Sequence, residues 1–260
     1  MVDQLSPSRQ AGLSLLSHLV PYRWARRLLL RSGGPMEPRE AYLAWIRLEV
    51  FWFRATYLKR RFEHTGTEYI DPGEPYLITS LHFGQWGMYP ASLNQQYGIK
   101  SQVIASGRNR NINSSSDHFW YSYGQLPQLM SGYPVCYSTD SIYAQLDRLR
   151  SGRSLVMIAD VRERGLRQRE TEVDFLGEPF FLQRTVPLLA RRARVRILPY
   201  LGHYDVASGR HRVRWFEPIS TGRRDQETLQ RIARLFEQGF SAHPEQYFNH
   251  LPFHRQPFQG

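Results

Sequence analysis

Tyr76 to Gly87 read YLITSLHFGQWG, and this stretch decides the fold. The run from Tyr76 to His82 carries no acidic, lysine or arginine side chain and includes β-branched Ile78 and Thr79, so it suits a short buried strand. Gly84 opens a turn, and Trp86 to Tyr97 reads as the helix that follows. Just upstream, Asp71-Pro72-Gly73-Glu74-Pro75 breaks the chain and isolates the strand from what precedes it.

The same alternation continues outward. Ser101 to Ala105 (SQVIA), Tyr133 to Tyr137 (YPVCY), Leu155 to Ala159 (LVMIA), Val195 to Leu201 and Arg212 to Phe216 read as strands. A further β-segment runs through VDFLGEPFFL, where Gly177 and Pro179 shape a turn. Helical patterns cover His118 to Met130, Ser141 to Arg150 with Asp140 or Ser141 as the cap, Gln183 to Arg194, and about Asp225 to Ser241. Strand and helix in repeated alternation predict one α/β domain over 64–260, with a mainly parallel central sheet flanked by helices.

Residues 1–63 read as a helical region. Ala11 to Val20 (AGLSLLSHLV) is followed by a segment bearing Trp24 and Arg23, Arg26, Arg27 and Arg31, and residues 37–63 carry apolar side chains with charges at helical spacing. A spanning helix needs about 20 predominantly apolar residues, and the apolar run here is about half that. Its positive charges follow the apolar part, opposite to a signal peptide. An amphipathic helix in the headgroup plane and one packed on the domain both fit the pattern.

The 260 residues carry a formal net charge of +11, which points to an anionic partner such as a membrane surface, an acidic carrier protein or nucleic acid. No nucleic-acid-binding framework surrounds the arginines, so that partner class ranks last. A single cysteine, Cys136, excludes an internal disulfide and a multi-cysteine zinc site. No nucleophile elbow, P-loop or dinucleotide glycine fingerprint is present. His250 and His254 have i, i+4 spacing, but Pro252 lies between them and no acidic residue completes a zinc motif.

His82 remains. It ends a buried strand and precedes a glycine turn, and ligands of open α/β sheets bind in the crevice beyond the carboxyl ends of strands. A histidine there is a candidate general base.

The stretch YLITSLHFGQWG resembles the first block of the lysophospholipid acyltransferase-like superfamily, in particular its lipid A late acyltransferase branch, where a histidine is followed after four residues by an acid. LRSGRSLVMIADVRERG is similar to the branch's block that ends in Pro-Asp-Gln, VDFLGEPFFLQRTVPLLARRARVRILPYLGH to the block that opens Phe-Phe-Gly-x-Pro, and HPEQYFNHLPF to the closing Pro-Glu-Gln-Tyr signature. The blocks keep the family's order from about residue 76 to 254. One departure stands out: Gly87 occupies the place of the family's acid.

The resemblance implies an acyltransferase-like fold and acyl transfer from a phosphopantetheine thioester, on acyl carrier protein or coenzyme A, to a hydroxyl or amine of a lipid, glycolipid or natural-product acceptor. No bound cofactor or metal is implied. It further implies a bacterial protein working on the cytoplasmic face of the inner membrane. His82 is then the base. Asp160, at the end of LVMIA and at the family's Pro-Asp-Gln position, is the expected substitute for the acid missing at 87, with Asp140 as second choice. Arg162 and Arg164, in a loop that also holds Arg167 and Arg169, suit phosphate, although alternating charges there also fit a solvated hairpin. Arg108 and Asn111, in the polar block after the second strand, and Gln85 are further expected substrate contacts. Aminoacyl transfer from a carrier protein, and a non-catalytic binding role after loss of the acid, are the alternatives.

Overall fold

The apolar run around Ile78 becomes the second strand of a seven-stranded sheet, with all five of its residues buried. The computed structural model describes residues 62–84, 86, 88–105, 136–161, 170–205 and 207–247. In chain order its elements are β1 (Phe62–Thr65), β2 (Tyr76–Ser80), α1 (Met88–Tyr97), β3 (Ser101–Ala105), β4 (Cys136–Tyr137) and α2 (Ile142–Arg150). Then follow β5 (Ser154–Ile158), β6 (Glu170–Phe175), β7 (Glu178–Gln183), α3 (Thr185–Ala193), β8 (Arg196–Asp205), β9 (Arg210–Trp215) and α4 (Asp225–Ala242). The helices expected before residue 62 and over His118 to Met130, the arginine loop with Arg162 and Arg164, and Gln85, Gly87, Arg108 and Asn111 lie outside the described residues, as do His250 and His254.

The strand order is β1-β9-β8-β2-β5-β3-β4. β8, β2, β5, β3 and β4 are parallel, while β9 turns back antiparallel on β8 and carries β1 parallel to itself. Alternation along β2 divides the core. Leu77 and Leu81 face a cluster with α2, α3 and α4, whereas Tyr76 and Ile78 face a second cluster with α1 and the aromatic rings of Phe62, Tyr89, Tyr200 and Trp215. Helices thus cover both faces, which is why the central strands read as unbroken apolar runs.

Two expectations need correction. The helix expected over 37–63 does not hold to its end, because Phe62 and Glu63 belong to β1, where Phe62 is buried and Glu63 pairs with Arg210 at the sheet edge. Pro179 does not shape the hairpin turn. Phe175 pairs with Glu178, so Leu176 and Gly177 alone form the turn, both at positive φ (57° and 75°) as a two-residue hairpin of the right twist requires. Pro179 stands in β7 opposite Asp174, whose backbone N–H and C=O both go to the Gln230 side chain of α4 (2.8 and 2.7 Å), so no ladder bond is asked of the proline.

Candidate active site

Strand register builds this site. β2 and β5 pair in parallel from Leu77 with Leu155 to Ser80 with Ile158, and the same offset carried two residues further sets His82 against Asp160. Side chains confirm the placement. His82 Nδ1 lies 2.9 Å from Asp160 Oδ1, and the His82 backbone N–H donates to that oxygen at 3.0 Å. The second carboxylate oxygen, Oδ2, accepts the Tyr247 hydroxyl at 2.8 Å.

Asp160 is 1% exposed, so its charge depends on these donors. Its backbone is held on both sides: the Ala159 N–H donates to Ser80, the Gln183 N–H donates to the Ala159 carbonyl, and Gln183 Nε2 donates to the Val161 carbonyl (2.8, 2.8 and 2.7 Å). A carboxylate accepts only, so the proton of a neutral His82 ring sits on Nδ1 and Nε2 is left as the basic nitrogen. The His82 side chain keeps 18% of its surface. Trp86 stands edge-on to the imidazole, with centroids 5.0 Å apart and planes at 79°. The Trp86 carbonyl in turn accepts the Tyr200 hydroxyl at 2.7 Å, and burial pushes that hydroxyl's pKa well up, so it stays a donor.

The turn after His82 needs glycine. Gly84 has φ +57°, and a Cβ there would overlap the Gly202 carbonyl and the Tyr89 hydroxyl. Across it lies the chain's closing segment. Phe83 and Tyr247 form an antiparallel bridge, the Gly84 N–H donates to the Gln246 carbonyl at 3.0 Å, and the Gln246 side chain bonds both backbone groups of Tyr204 (2.7 and 2.8 Å). Gln246 and Tyr247 belong to the HPEQY segment, whose sequence alone points to no task for either side chain. Its signal was the pair of a polar and a phenolic side chain beside a proline; what they touch lies 42 and 87 residues upstream.

Asp140 is engaged elsewhere: Oδ2 accepts the Tyr137 N–H at 3.1 Å and faces Arg148 at 3.5 Å. Ser141, not Asp140, caps α2, through the Ala144 N–H at 3.2 Å. Burial pushes the Cys136 thiol up, against use as a nucleophile. Among the described residues no cluster of three or more metal-ligating side chains occurs, and no helix is long and apolar enough to cross a membrane.

Residues 39–256 match the model of a family described as bacterial lipid A biosynthesis acyltransferase. Among solved structures, the 1-acyl-sn-glycerophosphate (LPA) acyltransferase PlsC from Thermotoga maritima is similar, at 12% identity and a TM-score of 0.46, over 90% of this chain and 87% of that one. No curated protein gives a significant sequence match.

Proposed function

The chain belongs to the bacterial lipid A biosynthesis acyltransferase family, and from that membership we propose that it transfers an acyl group from a carrier-protein or coenzyme A thioester to a hydroxyl or amine of a lipid-type acceptor, with His82 as general base. One observation carries the assignment: the 2.9 Å contact of His82 Nδ1 with buried Asp160, which leaves Nε2 as the proton acceptor.

In this reading Nε2 takes the proton from the acceptor as its oxygen or nitrogen attacks the thioester carbonyl. The tetrahedral intermediate then collapses, the carbon–sulfur bond breaks, and the departing thiolate recovers the proton from the imidazolium. Asp160 fixes the tautomer and supports the imidazolium charge, the service that a carboxylate gives in other His–acid pairs. It supplies what Gly87 lacks. The family's usual acid comes from the turn after the histidine, whereas this one comes from the neighbouring strand, and the register of β2 on β5 supports the exchange.

The basic charge and the arginines flanking Trp24 support work at an anionic membrane surface. Incubation of the purified protein with acyl-carrier-protein and acyl-coenzyme A thioesters, with mass spectrometry of donor and acceptor pools, tests the reading. Time-dependent loss of the acyl group from one donor, absent in His82→Ala, supports it; no transfer with any donor and with both hydroxyl and amine acceptors refutes it.

A further inference from the structure

A cavity of about 620 Å³ opens on the α2 and α3 face of the sheet. Ile104 near the end of β3, Ser138 just past β4 and Met157 of β5 line it from the sheet. Met157 lies near the end of β5 and Asp160 two residues past that end, so the cavity shares the carboxyl edge with the His82 site. Ligands of open α/β sheets gather at this edge.

Its lining joins two chemistries. Leu188 of α3 and Ile142 of α2 add aliphatic surface to that of Ile104 and Met157, while Arg184, Arg191 and Arg192 bring three guanidinium groups. Two acids also line it, and both have tasks within the fold. Asp225, 9% exposed, takes one terminal nitrogen of Arg191 and, at 3.4 Å, one of Arg184, and Asp140 holds the Tyr137 N–H and faces Arg148. Asp225 therefore orients two forks beside the cavity without matching its charge. Arg184 precedes the first turn of α3 and Arg191 and Arg192 stand in its last turn, so the three arginines run along one helix beside the cavity.

We propose that this cavity is a phosphate subsite: Arg184, Arg191 and Arg192 hold a phosphate ester whose aliphatic arm lies along Ile104, Met157 and Leu188. Guanidinium forks match phosphate oxygens in pairs, and three of them exceed what a single carboxylate can use. The inference rests on the acyl-transfer reading in one respect, that the arm belongs to a reactant. Its phosphate is either that of the donor's phosphopantetheine or that of a phosphorylated lipid acceptor.

Isothermal titration with dodecyl phosphate, below its micellar concentration, tests the site without turnover. The comparison is between the full chain and Arg184→Gln/Arg192→Gln, which keeps Arg191 on Asp225 and so spares the buried carboxylate; thermal unfolding verifies that the variant folds. Saturable binding weakened about tenfold or more in the variant is expected. Absence of binding to the unaltered chain, or equal affinity in the variant, overturns the proposal. His82→Ala should bind dodecyl phosphate as the unaltered chain does, so loss of turnover there and loss of binding here are separate failures. The source is read from KM in the arginine variant. A rise for acyl-phosphopantetheine but not for the acyl-N-acetylcysteamine thioester assigns the donor, and a rise for a phosphorylated acceptor over its dephosphorylated form assigns the acceptor. No rise in either overturns the assignment to a reactant.

Discussion

Tyr247 donates its hydroxyl to Asp160 Oδ2 at 2.8 Å from 87 residues further along the chain, so the closing segment completes the surroundings of a carboxylate set by the central strands. The other oxygen, Oδ1, serves His82 twice, through Nδ1 and the backbone N–H. Asp160 is thereby fixed in place by donors on both oxygens and aimed at the imidazole.

Tyr247→Phe removes one donor from a buried charge. A hydrogen bond to a charged group is worth about 1.5–3 kcal/mol, so urea unfolding should show a loss of that order, and kcat should fall roughly tenfold with KM little changed. A variant with unaltered stability and kcat would make the contact incidental.

Gly84→Ala should harm the site through the backbone. A left-handed conformation costs a side-chain-bearing residue about 1–2 kcal/mol, and the added Cβ also meets the Gly202 carbonyl and the Tyr89 hydroxyl. Denaturant unfolding is expected to show a loss of at least about 2 kcal/mol, together with reduced kcat as the His82 turn shifts.

Stability should depend on pH through His64. The Trp215 indole N–H can only donate, so its 2.8 Å contact makes His64 Nδ1 the acceptor; the ring proton sits on Nε2 and faces Ser92 Oγ at 2.8 Å. Burial holds the His64 pKa down to about 4, below the ordinary 6.5. The folded state then binds fewer protons than the unfolded one, so the contribution is intact above about pH 6.5 and is lost as pH falls toward 4. At its limit the loss is roughly 3 kcal/mol. Unfolding midpoints measured from pH 7 to pH 4.5 should fall, and His64→Gln should fall less steeply. His203 adds to the trend: burial first, then the stacked His243 ring (4.1 Å) and Arg212, hold it down to about 4 as well.

Association with anionic liposomes should be salt-sensitive, since exposed charges are screened over about 8 Å at physiological ionic strength. Co-sedimentation is expected at low salt and should weaken sharply as salt rises. Absence of binding at low salt, or binding indifferent to salt, contradicts a peripheral role.

Local sequence carried much of this architecture. SQVIA is a strand over the residues read from its pattern, and YLITS is one because both its faces are covered. LVMIA starts a residue early, at Ser154, because Ser154 pairs with Ser101 of β3 and its N–H donates to the Lys100 carbonyl at 2.9 Å. β1 was not legible: Phe62 and Glu63 continue a helical spacing, and only the open edge of β9, distant in sequence, turns them into a strand. Within the site, His82 and Asp160 were each legible as strand-end residues, and parallel register brings them together. Tyr247, Gln246 and Gln183 were not, because the groups they bond are fixed by tertiary structure alone.

The central claim is that His82 and Asp160 act as one unit, and kcat for His82→Ala, Asp160→Asn and the double variant, each first shown to be folded by thermal unfolding, tests it most directly. The account predicts that each single change lowers kcat strongly, by roughly 10²–10⁴ for His82→Ala, and that the double variant is little worse than either single one, since residues acting together are non-additive. Full turnover in Asp160→Asn alongside loss in His82→Ala would contradict the pairing, and full turnover in both would contradict histidine-based acyl transfer altogether.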